Sequence, residues 1–210
     1  MLLRSNTFHR LCDDVAKSDP TLKNIIDSIG YPPFWTRPNS FATLVLTILE
    51  QQVSLASAFA AFTKLKEKVQ EVSPENIMAL SDEELRACYF SRQKIVYVRG
   101  LAEAILQGRI NLERFARQPD EKVREELKKQ KGIGDWTVDI YLIHALRRPD
   151  ILPLGDLALV KAIRESKDLD TSTTLEELHQ LAEPWRPYRS VATMILWHYY
   201  IKKRNIRIVH

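Results

Sequence analysis

Apolar residues recur along this chain at helical spacing, and no stretch of useful length alternates apolar and polar residues as a strand would. Phe41, Leu44, Val45, Leu46, Ile48 and Leu49 are apolar nearly all round, which predicts a buried central helix. Ile95, Val98, Leu101, Ala102 and Ile105 form one stripe of a helix over 92–107, started by Ser91 and stopped by Gly108. Further helices are expected over 8–17, after Asp19-Pro20, over 54–69, behind Ser73-Pro74-Glu75, and over 121–129, 157–165 and 188–203. Ser81-x-x-Glu84 and Thr174-x-x-Glu177 have the form of capping boxes. Three prolines between Tyr31 and Pro38 rule out a regular element there. The expected fold class is all-α.

The stretch 127–163 organises the rest. Gly132-Ile133-Gly134 interrupts a helical pattern and permits a very tight turn. A second apolar run starts at Asp135, with Trp136, Ile140, Ile143 and Leu146 on its face. A helix, a glycine turn and a second helix leave backbone N–H groups at the second helix's start, a ready anion site for which phosphate is the obvious ligand. Pro153 and Gly155 then break the chain again, and Asp156 stands before the next helix. An Asp in that place is a standard N-cap. It is also a carboxylate fixed on a rigid element, and both readings stand. Glu50-Gln51-Gln52 interrupts a greasy run and reads as a surface turn. Trp35 reads as a packing aromatic or a pocket wall, and Trp197 as either a core or a pocket residue. Arg92, Lys94 and Arg99 lie off their helix's apolar stripe, on a solvated face or against phosphate.

G-I-G-D-W-T followed by P-L-G-D-L resembles the helix-hairpin-helix DNA glycosylases that carry a Gly/Pro-rich loop and a single aspartate. Within them the chain most resembles the alkylated-base, 3-methyladenine type II enzymes, without the extra N-terminal domain of larger relatives. I-L-E-Q-Q-V-S at 48–54, S-R-Q-K-I-V-Y-V-R-G-L-A at 91–102 and W-R-P-Y-R-S-V-A-T-M-I-L-W at 185–197 agree, in family order. The likeness implies two helical lobes facing a cleft: 1–38 with 166–210, and 39–165 with the hairpin at about 120–147 and the aspartate loop at 149–156.

The resemblance also implies roles. Asp156 takes the catalytic position. Trp136 and Trp197 line the base pocket, with Tyr188 and Trp35 as further candidates. Gln52 fills the gap left by the extruded base, and Gly132, Ile133, Gly134 and Asp135 meet DNA. A Na+ or K+ ion would sit on the backbone carbonyls of Lys128, Gln130 and Ile133, and no other cofactor is required. The implied activity is monofunctional: an alkylated base such as 3-methyladenine or 7-methylguanine is removed from double-stranded DNA, leaving an abasic site. In lyase relatives a lysine stands where this chain has Trp136, whose indole forms no imine. Lys161 is the nearest lysine beyond the hairpin that a lyase would use. Gln130 and Ile140 depart from the family, standing where relatives have an apolar residue and, in some, an aromatic. The alternatives are a bifunctional glycosylase/lyase on oxidised bases and a non-catalytic DNA-binding module. Asp135 and Asp139 are rival acids, expected at a helix start and in solvent.

Composition adds little and contradicts nothing. A net charge of +4 and a pI of about 9.0 lean mildly toward a polyanionic partner. From Pro184 to His210 there are six Lys/Arg and no acid, which alone reads equally as a stretch facing that partner or as a solvated basic tail. Cys12 and Cys88 are too few and too far apart for a four-thiolate iron–sulfur cluster or a disulfide framework. No signal peptide or membrane-spanning run is apparent. The expectation is an intracellular monomer, in the cytoplasm and nucleoid, or in the nucleus of a eukaryote.

Overall fold

The computed structural model describes residues 2–207, which contain thirteen α-helices and no strand. None of these helices is long and apolar enough to cross a membrane. The chain divides into two compact units, and the boundary falls inside one helix.

One unit is Arg37–Tyr141. It holds α3 (Phe41–Glu50), α4 (Leu55–Val69), α5 (Pro74–Ala79), α6 (Asp82–Ala87), α7 (Arg92–Leu106), α8 (Leu112–Phe115), α9 (Asp120–Lys128) and most of α10 (Asp135–His144). Ser40, Ser54, Ser73 and Ser91 each accept an N–H from the helix they precede, and Ser81-x-x-Glu84 closes both bonds of its capping box. Leu44, Val45, Ile48 and Leu49 are buried, so α3 is the core helix that its composition predicted. The short helix α8, capped by Asn111, was not expected from the sequence.

The other unit is the chain up to Thr36 together with Leu142–Arg207. It holds α1 (Ser5–Ala16), α2 (Pro20–Ile29), α11 (Leu157–Ser166), α12 (Leu175–Leu181) and α13 (Arg189–Lys203). The second capping box forms at Thr174 and Glu177. The expected division at 165/166 is therefore displaced to 141/142. The reason lies in what residues 142–165 touch. Helix α11 packs along α13. Leu3 N–H donates to the Arg147 carbonyl at 2.9 Å, Ser190 N–H to the Pro149 carbonyl at 3.0 Å, and Ile151 N–H to Ser190 Oγ at 2.9 Å. The aspartate loop thus belongs with the terminal helices.

Trp185 lies in a short 3-10 turn and is fully buried. Its indole N–H donates to Asp19 Oδ2 at 2.7 Å, and Lys167 Nζ meets the same oxygen at 2.7 Å. Asp19 also caps α2 through Thr21 N–H. Burial pushes the Asp19 carboxyl up, but the hydrogen bonds from Lys167 and Trp185 outweigh it and hold the group below the usual carboxylate range. A depressed folded pKa stabilises the fold above the unfolded value of about 3.9 and stops doing so as pH falls through the folded value. Asp19→Asn should cost about 2 kcal/mol in urea unfolding at pH 7. The gap to the parent should narrow below about pH 4. An unchanged gap there would remove the ionised Asp19 from the account.

Candidate active site and nucleic-acid interface

Asp156 is the N-cap of α11: its Oδ1 accepts Leu159 N–H at 2.8 Å. The same oxygen accepts the indole N–H of Trp197 at 3.1 Å, from the middle of α13. Trp197 is only 8% exposed, and His144 lies parallel to it, with ring centroids 5.4 Å apart and planes at 14°. His144 Nδ1 sits 3.0 Å from the Trp35 carbonyl, which only accepts, so this nitrogen carries the proton. Trp35 in turn lies beside His198, whose imidazole burial pushes toward the neutral form. Asp156, Trp197, His144 and Trp35 therefore form one connected cluster in one unit. Capping and site geometry coincide at Asp156, since the helix start holds the carboxylate and Trp197 fixes its direction.

Tyr188 is the N-cap residue of α13, nine residues before Trp197, or about 13.5 Å along the axis at 1.5 Å per residue. Trp136 is half-buried in the first turn of α10 and belongs to the other unit.

The hairpin is built around Gly132. Its φ of +84° is left-handed, and a Cβ there would stand 2.1 Å from the Tyr97 ring of α7. Tyr97 is tied down by Gln93 of the same helix. Ile133 is buried and donates its N–H to the Gln130 carbonyl at 3.1 Å. Gly132 and Ile133 thus anchor the hairpin, and Gln130 contributes the carbonyl that accepts Ile133 N–H. At Gly134 a Cβ would meet nothing within 4 Å, and the backbone is not left-handed. Asp135 begins α10, exposed and paired with Lys128 at 2.7 Å.

The Glu50-Gln51-Gln52 turn, which composition reads as surface, spends two of its three polar side chains inward. Glu50 takes a two-point grip from Arg37, at 2.6 and 2.8 Å. Gln51 Nε2 donates to the Gly132 carbonyl at 2.8 Å and to Thr137 Oγ1 at 2.9 Å. Gln52 alone faces outward, exposed, with φ +57°, beside the exposed Val53 and Leu55.

Several charges have other partners than DNA. Asp139, expected in solvent, is buried and paired with Arg124; burial pushes its carboxyl up despite that partner. Lys94 donates to the Leu49 carbonyl at 2.6 Å, and burial pushes its ammonium below the ordinary lysine value. Arg99 pairs with Asp82. In the basic run after Pro184, Arg186 and Arg189 pair with Asp150, while Lys203 and Arg204 pair with Glu165. Four of that run's six cations thus have acid partners outside it.

Residues 45–187 match the model of the HhH-GPD superfamily of base excision DNA repair proteins. The chain belongs to this superfamily. It is similar to DNA-3-methyladenine glycosylase 1 of Schizosaccharomyces pombe, 31% identical over 85% of this chain and 82% of that protein. A putative DNA-3-methyladenine glycosylase of Bacillus subtilis is 28% identical over 91% of this chain and 69% of its own length. Among solved structures, S. pombe 3-methyladenine DNA glycosylase in complex with abasic DNA superposes with a TM-score of 0.82 at 29% identity, covering 90% of this chain and 95% of that one. A DNA-3-methyladenine glycosidase from Bacillus halodurans gives 0.76 at 29% identity, over 93% and 91%.

Within this HhH-GPD chain, sequence reasoning missed His144, Gln51 and Tyr97. A histidine closing the apolar run of α10 was the available signal for the first. For Gln51 it was a second glutamine in a turn needing only one exposed residue. The carbonyl donor set of Lys128, Gln130 and Ile133 fits a hard monovalent cation, because neutral oxygens suit such ions. Gln130's carbonyl accepts one N–H and keeps a second lone pair.

Proposed function

We propose that this chain is a monofunctional DNA glycosylase that hydrolyses the N-glycosidic bond of alkylated bases in double-stranded DNA and leaves an abasic site. The observation that carries the reading is the two-point fixation of Asp156 Oδ1, by Leu159 N–H and the Trp197 indole, at the family's single-aspartate position. The names of the similar proteins support the substrate class.

The target base must leave the stack before any bond to it is cut. Bond cleavage passes through an oxocarbenium-like sugar, which the Asp156 carboxylate stabilises while orienting the attacking water. Alkylation of a ring nitrogen makes the base cationic, hence a good leaving group, so one carboxylate suffices. Trp197 supplies an aromatic wall, and such faces attract cations. On the DNA backbone, Gly132–Asp135 offers the N-terminus of α10 to a phosphate. The backbone carbonyls of Lys128, Gln130 and Ile133 would hold a Na+ or K+ ion, which would supply positive charge there. The protein acts as a monomer.

The test is incubation with methylated duplex DNA, chromatography of the released bases, and borohydride added during turnover. Free 3-methyladenine and 7-methylguanine, an uncut strand and no trapped adduct are expected. No released base would sink the reading. A trapped adduct that disappears in Lys161→Ala would replace it with a lyase.

A further inference from the structure

Gln52 and the hairpin lie eighty residues apart in sequence, yet one side chain joins their supports. Gln51, next to Gln52, gives both of its amide hydrogens to the hairpin: one to the Gly132 carbonyl in the turn, one to Thr137 Oγ1 in the first turn of α10. Thr137 is buried, and Gly132 is pinned from its other side by Tyr97, so neither acceptor is a loose end. The turn's other supports are as firm. Lys94 of α7 holds the Leu49 carbonyl, and Arg37 holds Glu50. Every contact lies within the unit Arg37–Tyr141.

We propose that Gln51 is a positioning residue that makes the gap-filling turn and the phosphate-gripping hairpin a single rigid body, so that seating a phosphate on the hairpin fixes where Gln52 enters the duplex. The inference rests on the reading of Gln52 as the residue that occupies the vacated base position. Without Gln51 the hairpin still holds its phosphate, because Gly132 and Tyr97 remain. What is lost is the fixed offset from that phosphate to Gln52. Gln51 therefore affects base extrusion at full occupancy, not affinity.

The experiment uses duplex DNA holding an uncleavable 2′-fluorinated target nucleotide beside 2-aminopurine, whose fluorescence rises when its neighbour is unstacked. No bond is cut, so the readout is independent of glycosylase chemistry. Gln51→Leu removes both donors at similar volume, and Thr137→Val removes one acceptor without touching the turn. At protein concentrations that saturate the duplex by anisotropy, Gln51→Leu should lower the fluorescence-reported opening about three- to tenfold, the range of one or two lost hydrogen bonds. Thr137→Val should lower it less, and the double variant no more than Gln51→Leu, since both changes break the same link. The salt dependence of binding should keep its slope, because the phosphate contacts remain. If Gln51→Leu fails to fold, Thr137→Val carries the test. Unchanged opening in the variants, losses that add in the double variant, or a changed salt slope would overturn the coupling. A parent protein that opens no duplex would instead remove the reading of Gln52 on which the coupling rests.

Discussion

Asp156→Asn should bind methylated duplex DNA as the parent does and release bases about a thousandfold more slowly, the upper range for losing one preorganised electrostatic contact. The carboxamide oxygen still accepts Leu159 N–H, and Asn is as good an N-cap as Asp, so α11 keeps its start. The same oxygen still meets the Trp197 indole, so the aromatic wall keeps its angle. What disappears is the negative charge opposite the developing sugar cation. Single-turnover base release, measured with binding by anisotropy and a thermal melt, separates these effects. Base release at the parent rate would end the catalytic assignment. Asp156→Ala would be a poorer test, because it removes the cap and frees Trp197 as well as removing the charge.

The second large effect is expected at Gly132. Gly132→Ala should melt well below the parent and lose affinity for damaged and undamaged duplexes alike, by tenfold or more. Two penalties combine. A left-handed non-glycine backbone costs about 1–2 kcal/mol, and the new methyl lies inside the Tyr97 ring. Tyr97→Ala should restore part of the stability of Gly132→Ala by vacating that ring, while the backbone strain stays. Gly134→Ala is the contrasting change: it meets no atom of the protein and should melt like the parent. Any affinity it loses therefore measures an approaching ligand rather than a broken turn. If Gly132→Ala retained the parent melting point, the packing of Tyr97 against the turn would not be what shapes the hairpin.

Local structure was legible in the sequence because its causes are local. Ser81 with Glu84, and Thr174 with Glu177, specify their boxes over four residues. Gly132 marks a turn by its lack of a side chain. Asp156 was readable as a cap, and its rank as a site came from the motif around it. Partners that lie far away in sequence were not readable. Asp139 looked solvated until Arg124, fifteen residues earlier, was brought to it. The basic residues after Pro184 looked free because Asp150 and Glu165 lie outside their segment. Tyr188 and Trp197 belong to one motif, but helical rise along α13 separates its N-cap from its middle. The unit boundary was misplaced because α10 is one uninterrupted apolar helix, and nothing in its sequence marks where its contacts change sides. Both glycines of G-I-G looked equally necessary. A left-handed φ and a ring from α7, both at Gly132, distinguish them.

The left-handed backbone at Gln52 restricts what can replace it. With Glu50 and Gln51 committed inward, residue 52 is the one position of the turn that can change without unmaking the fold. Its φ of +57°, however, admits few side chains cheaply. Asn, Asp and Gly tolerate that region, whereas Val and Ile clash with their own backbone there. Variation at this tip should therefore run among short polar or absent side chains. A bulky β-branched wedge, however well it filled a gap in DNA, would first have to refold the turn that presents it.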